Sequence, residues 1–256
     1  EMIKFSKNGS TVTTAAIKLA RAYTQRKLIA IPVDHPFYSY DDWFIGKTPC
    51  NSGVPSEISE LTVTFESCNI DSLSKLFEKY PNQIAAVITE PERLTCASCN
   101  CKLKTESYLK KVIKLTKSNG AVFILDEMVT GFKVGFPGAI TKYNISPDLA
   151  TWGKGIANGF SFCALTGKKE IMQLGGIKNN KNEKVFLIST THGGETHAIR
   201  AFIKTLQIFK RDNVLSHNHN VGHKIISLSK KAILSEGLDT FINVIPCKWV
   251  VGYIFY

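Results

Sequence analysis

No stretch of this 256-residue chain reaches the ~20 consecutive apolar residues that a membrane helix needs. The opening residues, EMIKFSKNGS, hold no apolar core of the kind a secretory signal carries. Lysines are plentiful but never massed: 32 Lys and Arg against 21 Asp and Glu give a net charge of +11. They are scattered, as at Lys7, Lys18, Lys27, Lys47, Lys75 and Lys79, with no dense basic block and interleaved aromatics. A solvated basic surface is the better reading than a nucleic-acid partner. Second cysteine pairs are missing too. CASCNC holds Cys96, Cys99 and Cys101 but has no partner pair to complete the four ligands of a zinc site, so incidental loop thiols are expected and no metal. The odd total of seven cysteines points to a reducing, cytoplasmic setting. Internal repeats, low-complexity stretches and clear interdomain linkers are likewise absent.

A phosphate loop of the form GxxxxGK[ST] is the next absence. The nearest candidate is Gly46-Lys47-Thr48, but Asp41 stands where the first glycine is required and Pro49 follows directly. That removes a nucleotide hydrolase, although the pair Asp126-Glu127 after an apolar run invites one.

What is present is ordinary in bulk and ordered in detail. Hydrophobic residues make up 44% and charged residues 21%, enough for a sizeable core in one large domain or two small ones. Helical periodicity is expected over 11–26, 70–80 (capped by Asn69 or Asp71), 106–120, 195–211 and 214–237, the last weakened by Gly222. Strands are expected at 28–33, 84–88, 121–125, 149–152, 162–167 and 185–189. IAAVI (84–88) is apolar throughout, as a strand buried on both faces must be. Alternating strands and helices predict an α/β fold with a largely parallel sheet covered on both faces. The terminal WVVGYIFY reads as part of a buried strand that breaks off, so the chain is expected to be a piece of something longer.

In such sheets ligands bind beyond the carboxyl ends of the strands. Asp126-Glu127 follows AVFIL, Gly153-Lys154-Gly155 follows LATW, and Thr190, Thr191 and His192 follow VFLIS. KNGSTVT (7–13) opens the first helix, where free amides and the helix dipole hold phosphate. Pyridoxal phosphate needs an amine for a Schiff base, a carboxylate against its ring nitrogen, a phosphate cup and a face for the ring. Lys154 offers the amine, with glycines on both sides to leave room; Asp126 offers the carboxylate, Gly9 and Ser10 the cup, and Phe37 in DHPFYSYDDWF a ring to stack.

LDEMVTGF (125–132), SPDLATWGKGIANGF (146–160) and STTHGGETHA (189–198) resemble the class III aminotransferases, in particular the subgroup of glutamate-1-semialdehyde 2,1-aminomutase and its relatives. The likeness runs from KNGSTVTTAAIKLARAYTQR through GYIFY, with motif order and spacing kept. It implies the large domain of a three-layer, fold type I pyridoxal-phosphate transferase over 1–212, the start of a small C-terminal domain over 213–256 with most of it missing, and a homodimer with shared active sites. Carried over by position, the aldimine lysine falls on Lys154 and the ring-nitrogen partner on Asp126. The phosphate loop falls on Asn8, Gly9 and Ser10, and the stacking position on Phe37, followed by Tyr38. Met128 matches the apolar residue under the other ring face. Thr190 matches the threonine that reaches the neighbouring subunit's cofactor phosphate, and Glu90 an acidic position at a core strand end. Departures are Thr11 for an acidic residue and Lys133 for an arginine after TGF.

The function implied is transfer of an amino group between a small amino donor and a carbonyl compound through an aldimine on Lys154. Two alternatives stand beside it: the aminomutase of tetrapyrrole synthesis, and a catalytically inactive scaffold relative.

Overall fold

The computed structural model describes residues 1–35, 37–92, 105–176, 184–185 and 188–256. Seven strands form one sheet, β1 (Met2–Ser6), β2 (Leu28–Pro32), β3 (Thr62–Phe65), β4 (Ile84–Thr89), β5 (Val122–Glu127), β6 (Leu149–Trp152) and β7 (Cys163–Gly167). Their order is β1-β7-β6-β5-β4-β2-β3. The run from β6 to β3 is parallel, and β7 and β1 join it antiparallel. β4 and β5 are buried at every position, which is why both read as continuous apolar runs.

Helices cover both faces. On one side α1 (Gly9–Thr24) lays Val12, Ala16, Leu19 and Ala20 against the sheet. On the other, α2 (Ile70–Lys79) and α3 (Thr105–Ser118) bury Leu73, Phe77, Leu109 and Val112. Of the two caps offered by the sequence, Asn69 is the one used: its Oδ1 accepts the Ser72 N–H at 3.1 Å. Gly120, past the end of α3, has φ +66, the left-handed stop expected of Asn-Gly. The α4 helix (Thr196–Arg211) packs Ala198, Phe202 and Phe209 around Phe132 and Phe162.

Four expectations change. VFLIS (185–189) falls partly outside the described residues, and Val185, Ile188 and Ser189 lie in no strand. α5 (Val214–Ser235) runs straight through Gly222, and the residue has a packing reason: a Cβ there would lie 2.0 Å from the Lys248 carbonyl oxygen. The terminal run is not buried. It forms β9 (Gly252–Phe255), paired with β8 (Ile242–Ile245) in a separate two-stranded sheet, with Phe255 74% exposed. The CASCNC cluster lies outside the described residues. Cys50, Cys163 and Cys247 are free, whereas Cys68 is disulfide-bonded, against the uniformly reduced thiols read from the sequence. No described helix is long and apolar enough to cross a membrane.

Candidate active site

The antiparallel pairing of β1 with β7 sets Ser6 opposite Cys163, so the chain leaving β1 turns into α1 beside the carboxyl ends of the parallel strands. There a cleft of about 390 Å³ is lined by the first residues of α1, by the ends of β4 and β5, and by the turn after β6. Asn8, Gly9, Ser10, Phe37, Asp126, Met128 and Lys154 all line it. Thr190 does not; it lines a separate surface hollow with Phe5, Ser189 and Gly194.

Asp126 and Glu127 separate because successive strand residues face opposite sides of the sheet. Asp126, 2% exposed, faces the cleft. Its Oδ1 accepts the Thr151 hydroxyl at 2.7 Å and the Met128 N–H at 2.9 Å. Burial, and then the nearby Glu90 carboxylate, push its pKa up to about 6 despite these two donors. Glu127 turns into the structure: Thr130 Oγ1 donates to it at 2.5 Å and the Ile140 N–H at 3.1 Å. Desolvation raises its pKa to about 7. It organises the 138–142 turn and has no part in the cleft.

Lys154 opens a short 3-10 turn with φ +49, a left-handed conformation rare outside glycine. Its two glycines differ in purpose. A Cβ at Gly153 would meet Met128 Sδ at 2.2 Å and Cys163 Sγ at 2.7 Å, while Gly155 has open space around it. Gly9 also approaches Met128, whose Sδ would lie 3.0 Å from a Cβ there. Met128 is therefore held between the helix start and the lysine turn by two residues without side chains.

Asn8 is the N-cap of α1: its Oδ1 accepts from Thr11 N at 2.9 Å and Thr11 Oγ1 at 3.0 Å. Thr11, at the place of an acidic residue in the resemblance, thus shares the cap. Ser10 Oγ accepts the Tyr40 N–H at 3.0 Å, tying the following loop to the helix start. The amides at the head of this 16-residue helix have no intrahelical acceptors, and an anion is favoured there. Lys7 adds a cation at the same end, ion-paired with Glu195. Phe37 stands at the cleft 53% exposed, edge-on to Phe44. Tyr38 is instead buried and donates its hydroxyl to the Ile88 carbonyl oxygen at 3.2 Å.

Sequence reasoning passed over His35, Cys163 and Thr151. His35 lies fully buried between Tyr38, on which it stacks, and Glu90. It stands after β2 in DHPF, so the strand-end rule that picked Phe37 pointed to it as well. His219 Nε2 lies 2.6 Å from the Lys133 carbonyl oxygen.

Residues 1–236 match the family described as aminotransferase class-III. The chain belongs to that family. It is 31% identical over 252 residues to a glutamate-1-semialdehyde 2,1-aminomutase of Sulfurihydrogenibium sp., covering 95% of this chain and 57% of that protein. Among solved structures it resembles an omega-transaminase from Sphaerobacter thermophilus, with a TM-score of 0.83 and 20% identity over 95% of this chain and 57% of that one. It also resembles the PLP internal aldimine form of the FumI protein of Sphingopyxis sp., with a TM-score of 0.79 and 24% identity over 100% of this chain and 58% of that one. The fold is that of the fold type I transferases. The chain spans a little over half the length of these relatives.

Proposed function

We propose that the chain carries the cofactor-holding part of a pyridoxal-5′-phosphate-dependent aminotransferase, which moves an amino group between a small amino donor and a carbonyl compound. The observation that carries this reading is the meeting of a buried carboxylate, Asp126, with Lys154 and the head of α1 around one cleft.

The residues present fit the cofactor. Both hydrogen-bond donors to Asp126 engage Oδ1, which leaves Oδ2 for the ring nitrogen. The α1 amides, with Asn8, Gly9 and Ser10, suit the phosphate. Phe37 offers one ring face and Met128 the other, and Thr190 would serve the phosphate held by a partner subunit. Pyridoxal phosphate, when bound, supplies an electron-accepting ring that eases cleavage of a bond beside the substrate nitrogen. Lys154 Nζ would tether the cofactor and, when free, would take a proton from the substrate carbon and return one. Asp126 holds a proton at the ring nitrogen. Burial of the carboxylate strengthens that contact.

A homodimer with shared sites belongs to this reading, as does a boundary between 1–212 and 213–256, which leaves α5 and the β8–β9 sheet in the second unit. A cytoplasmic location rests on the free thiols, and the disulfide at Cys68 is the observation against it. The aminomutase is the second reading, favoured by the name of the Sulfurihydrogenibium relative. Restored tetrapyrrole synthesis in cells lacking that enzyme would support it, and turnover that demands a separate amino acceptor would oppose it.

The deciding experiment adds pyridoxal phosphate to the full-length protein, reduces with borohydride and maps the modified peptide by mass spectrometry. Label on Lys154 in WGKGIANGF is expected. Absence of label brings the scaffold reading forward.

A further inference from the structure

The carboxyl ends of β2, β4 and β5 bring His35, Glu90 and Asp126 together, with one imidazole nitrogen and one oxygen from each carboxylate all within 4.8 Å of one another. The imidazole side chain is 0% exposed and that of Glu90 9%. The tautomer of His35 follows from its bonds. Its Nδ1 accepts the Phe37 N–H at 3.2 Å, so the ring proton sits on Nε2, which faces Glu90 Oε2 at 3.4 Å. A positive charge on the imidazole lowers the Asp126 pKa, opposing the Glu90 carboxylate that raises it. The trio therefore has two carboxylates and one imidazole, all with little exposed surface. Two buried carboxylates this close do not both ionise readily; one keeps a proton.

We propose that Glu90 and Asp126 share a single proton, and that His35 is the positioning residue that fixes Glu90 to receive it. The inference rests on the cofactor reading and deepens it. When a protonated ring nitrogen meets Asp126, the shared proton settles on Glu90, and the pair presents one negative charge to one positive charge. The transfer breaks one carboxyl O–H bond and makes another, so no further reactant is needed. Glu90 lines the Lys154 cleft and also a second cavity of about 300 Å³ with Glu92 and His223, so its proton exchanges with solvent without passing through the cofactor position. Among the described residues, Lys7, Lys154 and Cys163 share the cleft and Tyr38 stacks on the imidazole, while Glu127 lies on the other face of β5.

The test uses infrared spectroscopy on the cofactor-free, full-length protein between pH 5 and 7, where a buried protonated carboxyl has its own C=O band. A shared proton makes the band of the pair vanish in Glu90→Gln and equally in Asp126→Asn, because removing either charge lets the other group ionise. The Glu127 band survives in both variants. His35→Leu should move the midpoint of the pair's band upward by about one pH unit, a tenfold tighter proton, because the two carboxylates lose the imidazole that faces them. His35→Gln, which keeps an N–H near the same place, should restore it. Loss of the band in only one of the two carboxyl variants would overturn the proposal, as would no band in the parent or equal midpoints for the Leu and Gln variants. The two readings fail separately: label on Lys154 without the shared band removes the proton pair alone, and the shared band without label removes the cofactor assignment.

Discussion

Asp126 and Thr151 are directly opposite one another in the parallel ladder of β5 and β6, and the threonine hydroxyl reaches the Asp126 Oδ1 at 2.7 Å. A parallel register holds this pair in place from both backbones. The bond is charge-assisted when Asp126 is ionised, and it lowers the carboxyl pKa against the pull of burial.

Thr151→Val keeps the shape and removes the hydroxyl. Hydrogen bonds to charged groups contribute about 1.5–3 kcal/mol, so cofactor affinity should fall roughly 10- to 100-fold, with the larger loss at the acidic end of the range. Thr151→Ser should recover most of it. Titration of the full-length variants with pyridoxal phosphate, followed by absorbance, reads the effect; a valine variant that binds like the parent removes Thr151 from the site.

The glycines beside Lys154 should behave differently from each other. Gly153→Ala drives a methyl into Met128 Sδ and Cys163 Sγ, and overpacking of this kind costs about 1–3 kcal/mol. Gly155→Ala meets nothing within 4 Å and should change stability by less than about 0.5 kcal/mol. Urea midpoints of the two variants provide the comparison. Equal midpoints would mean that Met128 has another place to go.

Asp126 also gives a pH signature. A carboxyl whose pKa is raised from 3.8 to about 6 on folding binds its proton more tightly in the native state. Its contribution is intact below about pH 4, is lost as pH rises, and becomes a full penalty on the order of 3 kcal/mol above about pH 7. Asp126→Asn removes that penalty. In the cofactor-free protein the variant should match the parent near pH 4 and exceed its melting temperature increasingly up to pH 8. A difference between the two that is constant with pH would show that Asp126 does not titrate as described.

The sequence was most legible where a single strand or helix decides the outcome. AVFIL and IAAVI announce buried strands, Asn69 or Asp71 announces a cap, and the strand-end rule brings Asp126 and Lys154 to one edge of the sheet. It was least legible where two distant segments decide jointly. The purpose of Gly222 lies in the Lys248 carbonyl oxygen, and His35 acquires its place through contacts such as those with Glu90 and Tyr38. The short β1 and β3 strands carry little periodicity of their own, and β1 is specified by its pairing with β7. The exposed β9 reads as buried because aromatic and β-branched residues signal a strand whatever covers it.

Lys154 itself carries a cost that follows from its backbone. At φ +49 an L-residue is disfavoured by roughly 1–2 kcal/mol, whereas glycine adopts the conformation freely. Lys154→Gly should therefore raise the stability of the cofactor-free protein by about 0.5–1 kcal/mol once the extra chain entropy of glycine is counted. Lys154→Ala keeps the Cβ and the strain, and should leave stability near that of the parent. Both variants lose the amine and with it the borohydride-fixed label. Urea unfolding of the pair separates backbone from side chain: a glycine variant no more stable than the alanine variant would mean that the turn relaxes without Lys154. A stabilised glycine variant would show that the chain gives up stability to hold an amine at the mouth of the cleft.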